Sequence, residues 1–242
     1  MIEKIRSNKL LSVLTAIFLG LLVFLLVNLL DDIISNWIGK YTELNYYTGN
    51  TVTKFLTLLF SIVLILIFNN GSLKNYGFSK PKKIKYIKSF FISVGIIIAA
   101  FIVGMILFNI ILRNIFSDGN IEGFPKSDSI IQWILTVWIW SSICEEVLTR
   151  GLIQSFMNYQ KNIKFLKLSL PVWVSGIFFG LMHFSLLRTN MDIFFISFIV
   201  FNTTVIGLLA AYYREKTNSI YPAIFIHFLA NVLGSLPMIL LG

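Results

Sequence analysis

Two adjacent carboxylates, Glu145 and Glu146, follow a strongly apolar run that begins at Ile130. The run is typical of a membrane helix, where one charge at mid-depth costs roughly 2.5–3.5 kcal/mol and usually marks a functional site. Glu146 and Arg150 are four residues apart on one helix face, so we expect an ion pair. Glu145 projects about 100° away. Without a local partner it is suited to carry protons. The alternative is a charge cluster solvated at the helix end.

Both histidines of the chain lie within predicted spans. His227 and Asn231 are four residues apart and share a helix face, whereas His183 comes from an earlier span. A lone histidine in a span is often a hydrogen-bonded packing residue. In hydrocarbon, however, each polar side chain needs a partner, and the cheapest partners are one another. We therefore expect the fourth, fifth and seventh spans to pack their polar faces together.

Such a cluster has the residue types of a hydrolytic site without a covalent intermediate. Glu145, assisted by His183, would deprotonate a water that attacks a peptide carbonyl. His227 and Asn231 would donate hydrogen bonds to the developing oxyanion. The sequence thus predicts four catalytic residues from three helices.

Two other kinds of site use the same residues. Two histidines and a glutamate are enough to ligate zinc, but the chain lacks the His-Glu-x-x-His pattern and asparagine is a poor zinc ligand. We therefore expect no cofactor. Cys144 is the only cysteine, and a small buried apolar side chain is its expected role rather than a nucleophile.

Composition places these residues in a membrane. Of the 242 residues, 57% are hydrophobic and only 13% are charged, and the mean hydropathy is +0.82. Soluble domains carry about 25% charged residues. We predict an all-α, polytopic helical bundle that forms a single multi-pass domain over residues 1–242. The net charge of +9 is distributed as expected for orientation in a membrane, so we expect no nucleic-acid partner.

About seven spans are predicted, and charge sets their orientation. The spans cover residues 10–30, 51–68, 89–112, 130 to the glutamate pair, 171–187, 192–213, and 222 to the end. Pro171 and Pro222 suit the first turns of their helices. A cytoplasmic N-terminus puts most Lys and Arg residues on the cytoplasmic side, including the basic loop 74–88, which we expect to lie against anionic headgroups. Acids then fall mainly outside: Asp31, Asp32, Glu43, Asp118, Glu122 and Asp128.

Small residues are spaced for close helix packing. Gly176 and Gly180 form a Gly-x-x-x-Gly pair in the fifth span, and Gly207 and Ala211 form a similar pair in the sixth. Small residues at this spacing let helices approach closely in lipid, so we expect these pairs to be structural.

The ordered motifs Glu145-Glu146-x-x-x-Arg150, Phe179-x-x-x-His183 and His227-x-x-x-Asn231 resemble those of the CPBP family, also called the Abi family. Its members are CAAX-type prenyl-protein endopeptidases and bacteriocin-processing enzymes of α-helical fold. The sequence of residues 207–231 is similar to the segment that usually precedes and includes the family's last motif. The resemblance covers about residues 130–236, and the first three spans match only in being apolar.

The resemblance implies a role for each matching residue. The family's glutamate base falls on Glu145 and its assisting histidine on His183. Its oxyanion groups fall on His227 and Asn231, and its supporting ion pair falls on Glu146 and Arg150. The implied mechanism is that of a glutamate protease without bound metal.

We therefore expect an intramembrane endopeptidase in the cell membrane. Its partners would be the lipid bilayer and a membrane-associated peptide or protein: a CAAX-like tail, a leader peptide or a signalling-peptide precursor. The alternative is a non-catalytic membrane partner of a sensor kinase or a bacteriocin self-immunity protein. A proton-coupled transporter is a further alternative, but no paired repeats support it.

Overall fold

The computed structural model describes residues 2–38, 40, 46–116, 129–188 and 191–241. Apolar helices dominate this part of the chain, which confirms the predicted all-α membrane bundle. We number the seven large helices in chain order: α1 is Lys9–Ile38, α2 is Tyr46–Phe68, α3 is Tyr86–Phe116, α4 is Ile130–Gln154, α5 is Leu170–Leu181, α6 is Ile193–Thr217 and α7 is Tyr221–Leu241. Tight 3₁₀ turns, Met182–Arg188, prolong α5.

Six helical stretches in the described residues are long and apolar enough to cross a membrane. The seventh predicted span is present as α7, but its apolar stretch, Tyr221–Leu236, is shorter. The protein is therefore a multi-pass membrane protein. Four acids assigned to outer loops lie outside the described residues: Glu43, Asp118, Glu122 and Asp128.

Local sequence signals set several helix starts. The Ser169 hydroxyl accepts a hydrogen bond from the Val172 amide at the start of α5, and Pro171 occupies the first turn as predicted. Asp192 caps α6 in the same way, by accepting from the Phe195 amide at 3.0 Å. Pro222 lies in the first turn of α7, also as predicted.

Helix α4 does not end at the glutamates, as the sequence suggested, but continues to Gln154. The five α-helical residues Ser142–Glu146 are flanked by two wider π-helical stretches, Ile134–Ser141 and Val147–Gln154. Every residue of Val147–Gln154 is buried. Such π turns are rare and frequently occur at functional sites. The glutamates thus lie inside a buried helix rather than at a solvated helix end.

Helices α5 and α6 pack with almost no side chain between them. A Cβ built on Gly207 would lie 2.8 Å from the Gly176 carbonyl oxygen, and one built on Gly180 would overlap the Thr204 hydroxyl. Ala211 is fully buried as well. These contacts confirm the structural role predicted for the small residues, because close approach without side chains is what glycine permits in lipid.

A short N-terminal helix, Ile2–Ser7, packs against the C-terminal end of α4. Arg6 donates to the carbonyls of Phe156 at 3.1 Å and Ser155 at 3.2 Å, just past the end of α4. Its guanidinium also lies within 6 Å of the Tyr76, Phe156 and Tyr159 ring centroids, at 5.6, 5.7 and 5.2 Å. A cation at a helix C-terminus is favourable because it satisfies free carbonyls and opposes the helix dipole.

The segment between α4 and α5 holds the only strands in the described residues. Strands β1, Lys164–Phe165, and β2, Leu168–Ser169, form a two-residue antiparallel ladder. The turn between them uses positive φ angles at Leu166 and Lys167. This hairpin leads directly into α5.

Candidate functional site

The carboxylate of Glu145 is buried in α4, and it has a charged partner that the sequence reasoning missed. Its Oε1 lies 2.5 Å from Nζ of Lys54, which comes from α2. The Lys54 side chain is 19% exposed and that of Glu145 is 5% exposed. Glu145 has no charged partner on its own helix, as expected, but α2 supplies one that the sequence did not reveal. The other oxygen, Oε2, accepts no hydrogen bond from the described part of the chain.

Glu146 joins two of the predicted residues. Its Oε2 lies 3.1 Å from Nε of Arg150, so the expected ion pair one helical turn apart is present. Its Oε1 lies 3.1 Å from Nδ1 of His227 in α7. Both side chains of the ion pair are fully buried. Glu146 therefore binds both the cation on its own helix and the imidazole of another helix.

Arg150 ties α4 to two neighbouring helices. Its Nη2 donates to the Gly207 carbonyl of α6 at 2.7 Å, and its Nη1 donates to the Thr149 hydroxyl. Its guanidinium lies 4.6 Å from the centroid of the Phe179 ring in α5. A buried arginine needs this many partners, since an unpaired charge is costly in the bilayer.

His227 lies between the two glutamates. While Nδ1 faces Glu146, Nε2 lies 3.9 Å from Oε2 of Glu145. The distance to Glu145 is too long for a direct hydrogen bond. The imidazole therefore presents Nε2 towards the carboxylate oxygen that has no other partner in the described residues.

His183 lies next to this cluster and is linked to it by Phe179. Its Nδ1 lies 2.9 Å from the Phe179 carbonyl oxygen. The Phe179 ring meets both imidazoles edge-on, with centroid distances of 5.2 Å to His183 and 5.0 Å to His227. His183 interacts electrostatically with Glu145. In the described residues, however, it makes no hydrogen bond to that carboxylate.

Asn231 shares a helix face with His227 but binds another part of α4. Its Nδ2 donates to the Val137 carbonyl at 2.9 Å and to the Ser142 hydroxyl at 3.2 Å. Ser142 in turn donates to the Trp138 carbonyl at 2.6 Å. The structure thus brings Glu145, Glu146, Arg150 and His227 into direct contact, and leaves His183 and Asn231 at its edges.

The charges of the buried cluster balance. Two carboxylates, Glu145 and Glu146, face two cations, Lys54 and Arg150. Two histidines, His183 and His227, add imidazole nitrogens that can donate or accept hydrogen bonds. A balanced cluster of this kind can remain ionised in a poorly hydrated place, and it leaves one carboxylate oxygen to accept a proton.

Sequence reasoning missed Lys54 and did not assign a role to Phe179. The signal for Lys54 was a single lysine inside an apolar run, which is itself a functional hint in a membrane helix. No comparable signal exists for Phe179, because the sequence holds 23 phenylalanines. Cys144 is buried, as expected. Among the described residues, no group of three or more His, Cys, Asp or Glu is placed to hold a metal ion.

Residues 127–233 match a protein-family model described as "Type II CAAX prenyl endopeptidase Rce1-like". No curated protein and no solved structure gives a significant match. The matched region contains all six residues of the predicted site, from Glu145 to Asn231. The match over this region supports the predicted resemblance to the CPBP family of intramembrane proteases.

Proposed function

We propose that this protein is a glutamate-dependent intramembrane endopeptidase, with Glu145 as the base that activates water. The proposal rests on one observation. Oε2 of Glu145 is buried, accepts no hydrogen bond from the described residues and lies 3.9 Å from Nε2 of His227. A carboxylate oxygen in this position is able to take a proton from a water molecule.

In the first step, Oε2 of Glu145 accepts a proton while the water oxygen attacks the carbonyl carbon of the scissile peptide. His183 assists by holding or accepting a proton at Nε2, since its Nδ1 bonds to the Phe179 carbonyl. A carbon–oxygen bond forms, and the electron pair of the carbonyl π bond moves to the carbonyl oxygen. The product is a tetrahedral intermediate with a negative oxygen.

His227 and Asn231 stabilise that oxyanion. Nδ1 of His227 is held by Glu146, so its Nε2 faces the site and is placed to hydrogen-bond to the oxyanion. Asn231 gives up its longer bond, the 3.2 Å contact with Ser142, in order to donate to the oxyanion. When the intermediate collapses, the carbon–nitrogen bond breaks and Glu145 returns its proton to the leaving amine.

Four further residues hold the catalytic groups in position: Lys54, Glu146, Arg150 and Phe179. Lys54 binds Oε1 of Glu145, so Oε2 is the oxygen left for chemistry. Glu146 orients His227, and Arg150 fixes Glu146 to α4 and α6. Phe179 separates the two imidazoles and packs under the Arg150 guanidinium.

The substrate is a membrane-associated peptide or protein, because the site lies within helices that cross the membrane. The matching family model is described as a CAAX prenyl endopeptidase, which favours a prenylated CAAX tail. Leader peptides and signalling-peptide precursors share the relevant chemistry, an extended peptide held at a membrane. We propose that cleavage takes place at the cell membrane.

The test compares cells that carry the wild type, Glu145→Gln or Glu3→Gln. Glu3 is exposed at the N-terminus and serves as the charge-matched control. Peptides in membranes and medium are measured by mass spectrometry, and protein abundance by immunoblot. We expect Glu145→Gln to lower product formation by about a hundredfold or more, with abundance near that of wild type.

Full biological activity of Glu145→Gln would refute the enzyme proposal and favour the non-catalytic membrane partner. The enzyme proposal would also be contradicted if purified wild-type protein cleaved none of the membrane peptides that accumulate in the variant. Loss of activity in Glu3→Gln as well would mean that the assay reports expression rather than catalysis.

A further inference from the structure

An apolar cavity lies on the opposite side of α7 from the glutamates. It has a volume of about 540 Å³ and lies between α3, α6 and α7. Residues that line it include Tyr86, Phe90, Ser93, Tyr213, Phe225 and Leu229. The volume is within the usual range of small-molecule sites, roughly 300–1,000 Å³. No step of the peptidase mechanism uses it.

The cavity opens at one end of the bundle, at the level where helices begin and end. Its lining on α3 runs from Tyr86, the first residue of the helix, to Ser93. Its lining on α7 runs from Pro222 to Leu229, again from the helix start. Seven residues of helix rise about 10 Å. An occupant therefore enters from the membrane surface and extends about one third of the way into the hydrocarbon layer.

Two hydroxyl groups in the cavity wall are already hydrogen-bonded within the protein. The Ser93 hydroxyl donates to the Ser89 carbonyl at 2.8 Å, and the Tyr213 hydroxyl donates to the same carbonyl at 3.4 Å. Apart from Ser89, the remaining lining residues are aliphatic or aromatic. A peptide backbone placed here would lose its hydrogen bonds to water without replacement, whereas a hydrocarbon chain would lose nothing.

The rim of the cavity is strongly basic. The chain leading into α3 contains exposed lysines at positions 80, 82, 83, 85 and 88, and the sequence has no acidic residue from 44 to 117. The Lys82 amide donates to the Thr217 carbonyl at 2.9 Å, which joins this basic segment to the end of α6. Lys216, beside that contact, is exposed as well. Positive charge at the mouth complements an anionic headgroup.

We propose that this cavity is a binding site for an anionic glycerophospholipid. One acyl chain fills the space between α3, α6 and α7, and the phosphate binds the lysines at the start of α3. The bound lipid supports the helix that carries His227, because the preceding residue, Ile226, lines the cavity. This inference does not depend on the peptidase proposal, since it concerns another face of α7.

The experiment uses the full chain in phosphatidylcholine vesicles that contain a photoactivatable phosphatidylglycerol, with labelled peptides mapped by mass spectrometry. Lys85→Gln/Lys88→Gln removes rim charge, and Lys164→Gln/Lys167→Gln makes the same charge change in the hairpin. Leu229→Trp fills the cavity, and Leu21→Trp places a tryptophan at an exposed position on α1. Size-exclusion profiles establish which variants are folded.

We expect labelling of the α3 and α7 segments to fall about tenfold or more in Lys85→Gln/Lys88→Gln, since each lysine at an anionic surface contributes appreciably. Leu229→Trp is expected to give a similar loss, and both control variants to label like wild type. The wild-type protein provides a test that does not depend on any variant being folded. Excess unlabelled phosphatidylglycerol should reduce its photolabelling, and excess phosphatidylcholine should not. Equal competition by the two lipids, equal loss in both lysine pairs, or labelling elsewhere on the bundle would each overturn the proposal.

Discussion

Nδ1 of His227 lies 3.1 Å from Oε1 of Glu146, although 81 positions separate the two residues in the chain. The contact fixes the imidazole of α7 against α4. Because Nδ1 is held in this way, Nε2 faces Glu145. Glu146 is therefore more than the anion that neutralises Arg150, since it also sets the orientation of the second histidine.

Substitution of Glu146 by glutamine should lower both stability and activity. The amide leaves Arg150 as a buried charge without its counter-ion, which typically costs about 3–5 kcal/mol. We expect membrane abundance and the thermal unfolding temperature to fall clearly below those of Glu3→Gln, measured by immunoblot and scanning fluorimetry in detergent. Arg150→Ala should be at least as harmful, since it also removes the contacts to Gly207 and Phe179. Wild-type stability in both variants would contradict the buried ion pair.

Lys54→Met should reduce cleavage, and it should also lower stability because the buried Glu145 carboxylate loses its counter-ion. The change removes the ion pair that holds Oε1 of Glu145, so the carboxylate loses both its orientation and its counter-charge. We expect kcat/KM to fall about tenfold or more, and Lys54→Arg to recover part of the loss because it keeps the charge. A double-mutant cycle with Glu145→Gln measures the coupling. Purely additive effects would show that the two residues do not act together.

Asn231→Ala tests whether Asn231 acts as an oxyanion donor or only as a packing residue. Loss of one such donor typically costs about 10²–10³ in kcat. Ser142→Ala removes the 3.2 Å acceptor of Asn231 but leaves its amide in place. We therefore expect a large loss of kcat in Asn231→Ala and a change within about twofold in Ser142→Ala. Equal losses in the two variants, accompanied by equal destabilisation, would assign Asn231 a structural role only.

Gly180→Ala should destabilise the bundle, whereas Gly95→Ala should not. A Cβ at position 180 would overlap Thr204 of α6, but a Cβ at position 95 meets nothing within 4 Å. Overpacking typically costs about 1–3 kcal/mol, and alanine is favoured over glycine in an exposed helix by about 0.5–1 kcal/mol. Thermal unfolding of the two variants in the same detergent checks the difference. Equal stability would mean that α5 and α6 do not pack as closely as described.

Arg6→Ala tests the N-terminal helix that fastens α4. The variant loses two hydrogen bonds to carbonyls past the end of α4 and the contacts with three aromatic rings. Hydrogen bonds to charged groups contribute about 1.5–3 kcal/mol each in stability, so a clear drop in unfolding temperature is expected. Lys4→Ala, at an exposed position of the same helix, is the control. Proteolysis near residues 155–160 should increase only in Arg6→Ala.

Much of the fold follows from local rules, which is why the sequence predicts it. Apolar runs of membrane length specify the spans, and Pro171 and Pro222 specify two helix starts. The 3.6-residue period puts Glu146 beside Arg150, because both residues lie on one helix. The small residues of α5 and α6 likewise predict a close helix contact, since lipid provides no other driving force for it.

The sequence alone determined the membrane bundle, the six candidate site residues and the pairing within α4. Only the tertiary structure decided that Lys54 reaches Glu145, that His227 binds Glu146, and that Asn231 is held by Val137 and Ser142. The π turns also shift the faces of α4 away from the regular period. The physical reason is that hydrogen-bond geometry within a helix fixes neighbours three or four residues apart. Which face one helix turns towards another depends instead on packing over the whole bundle.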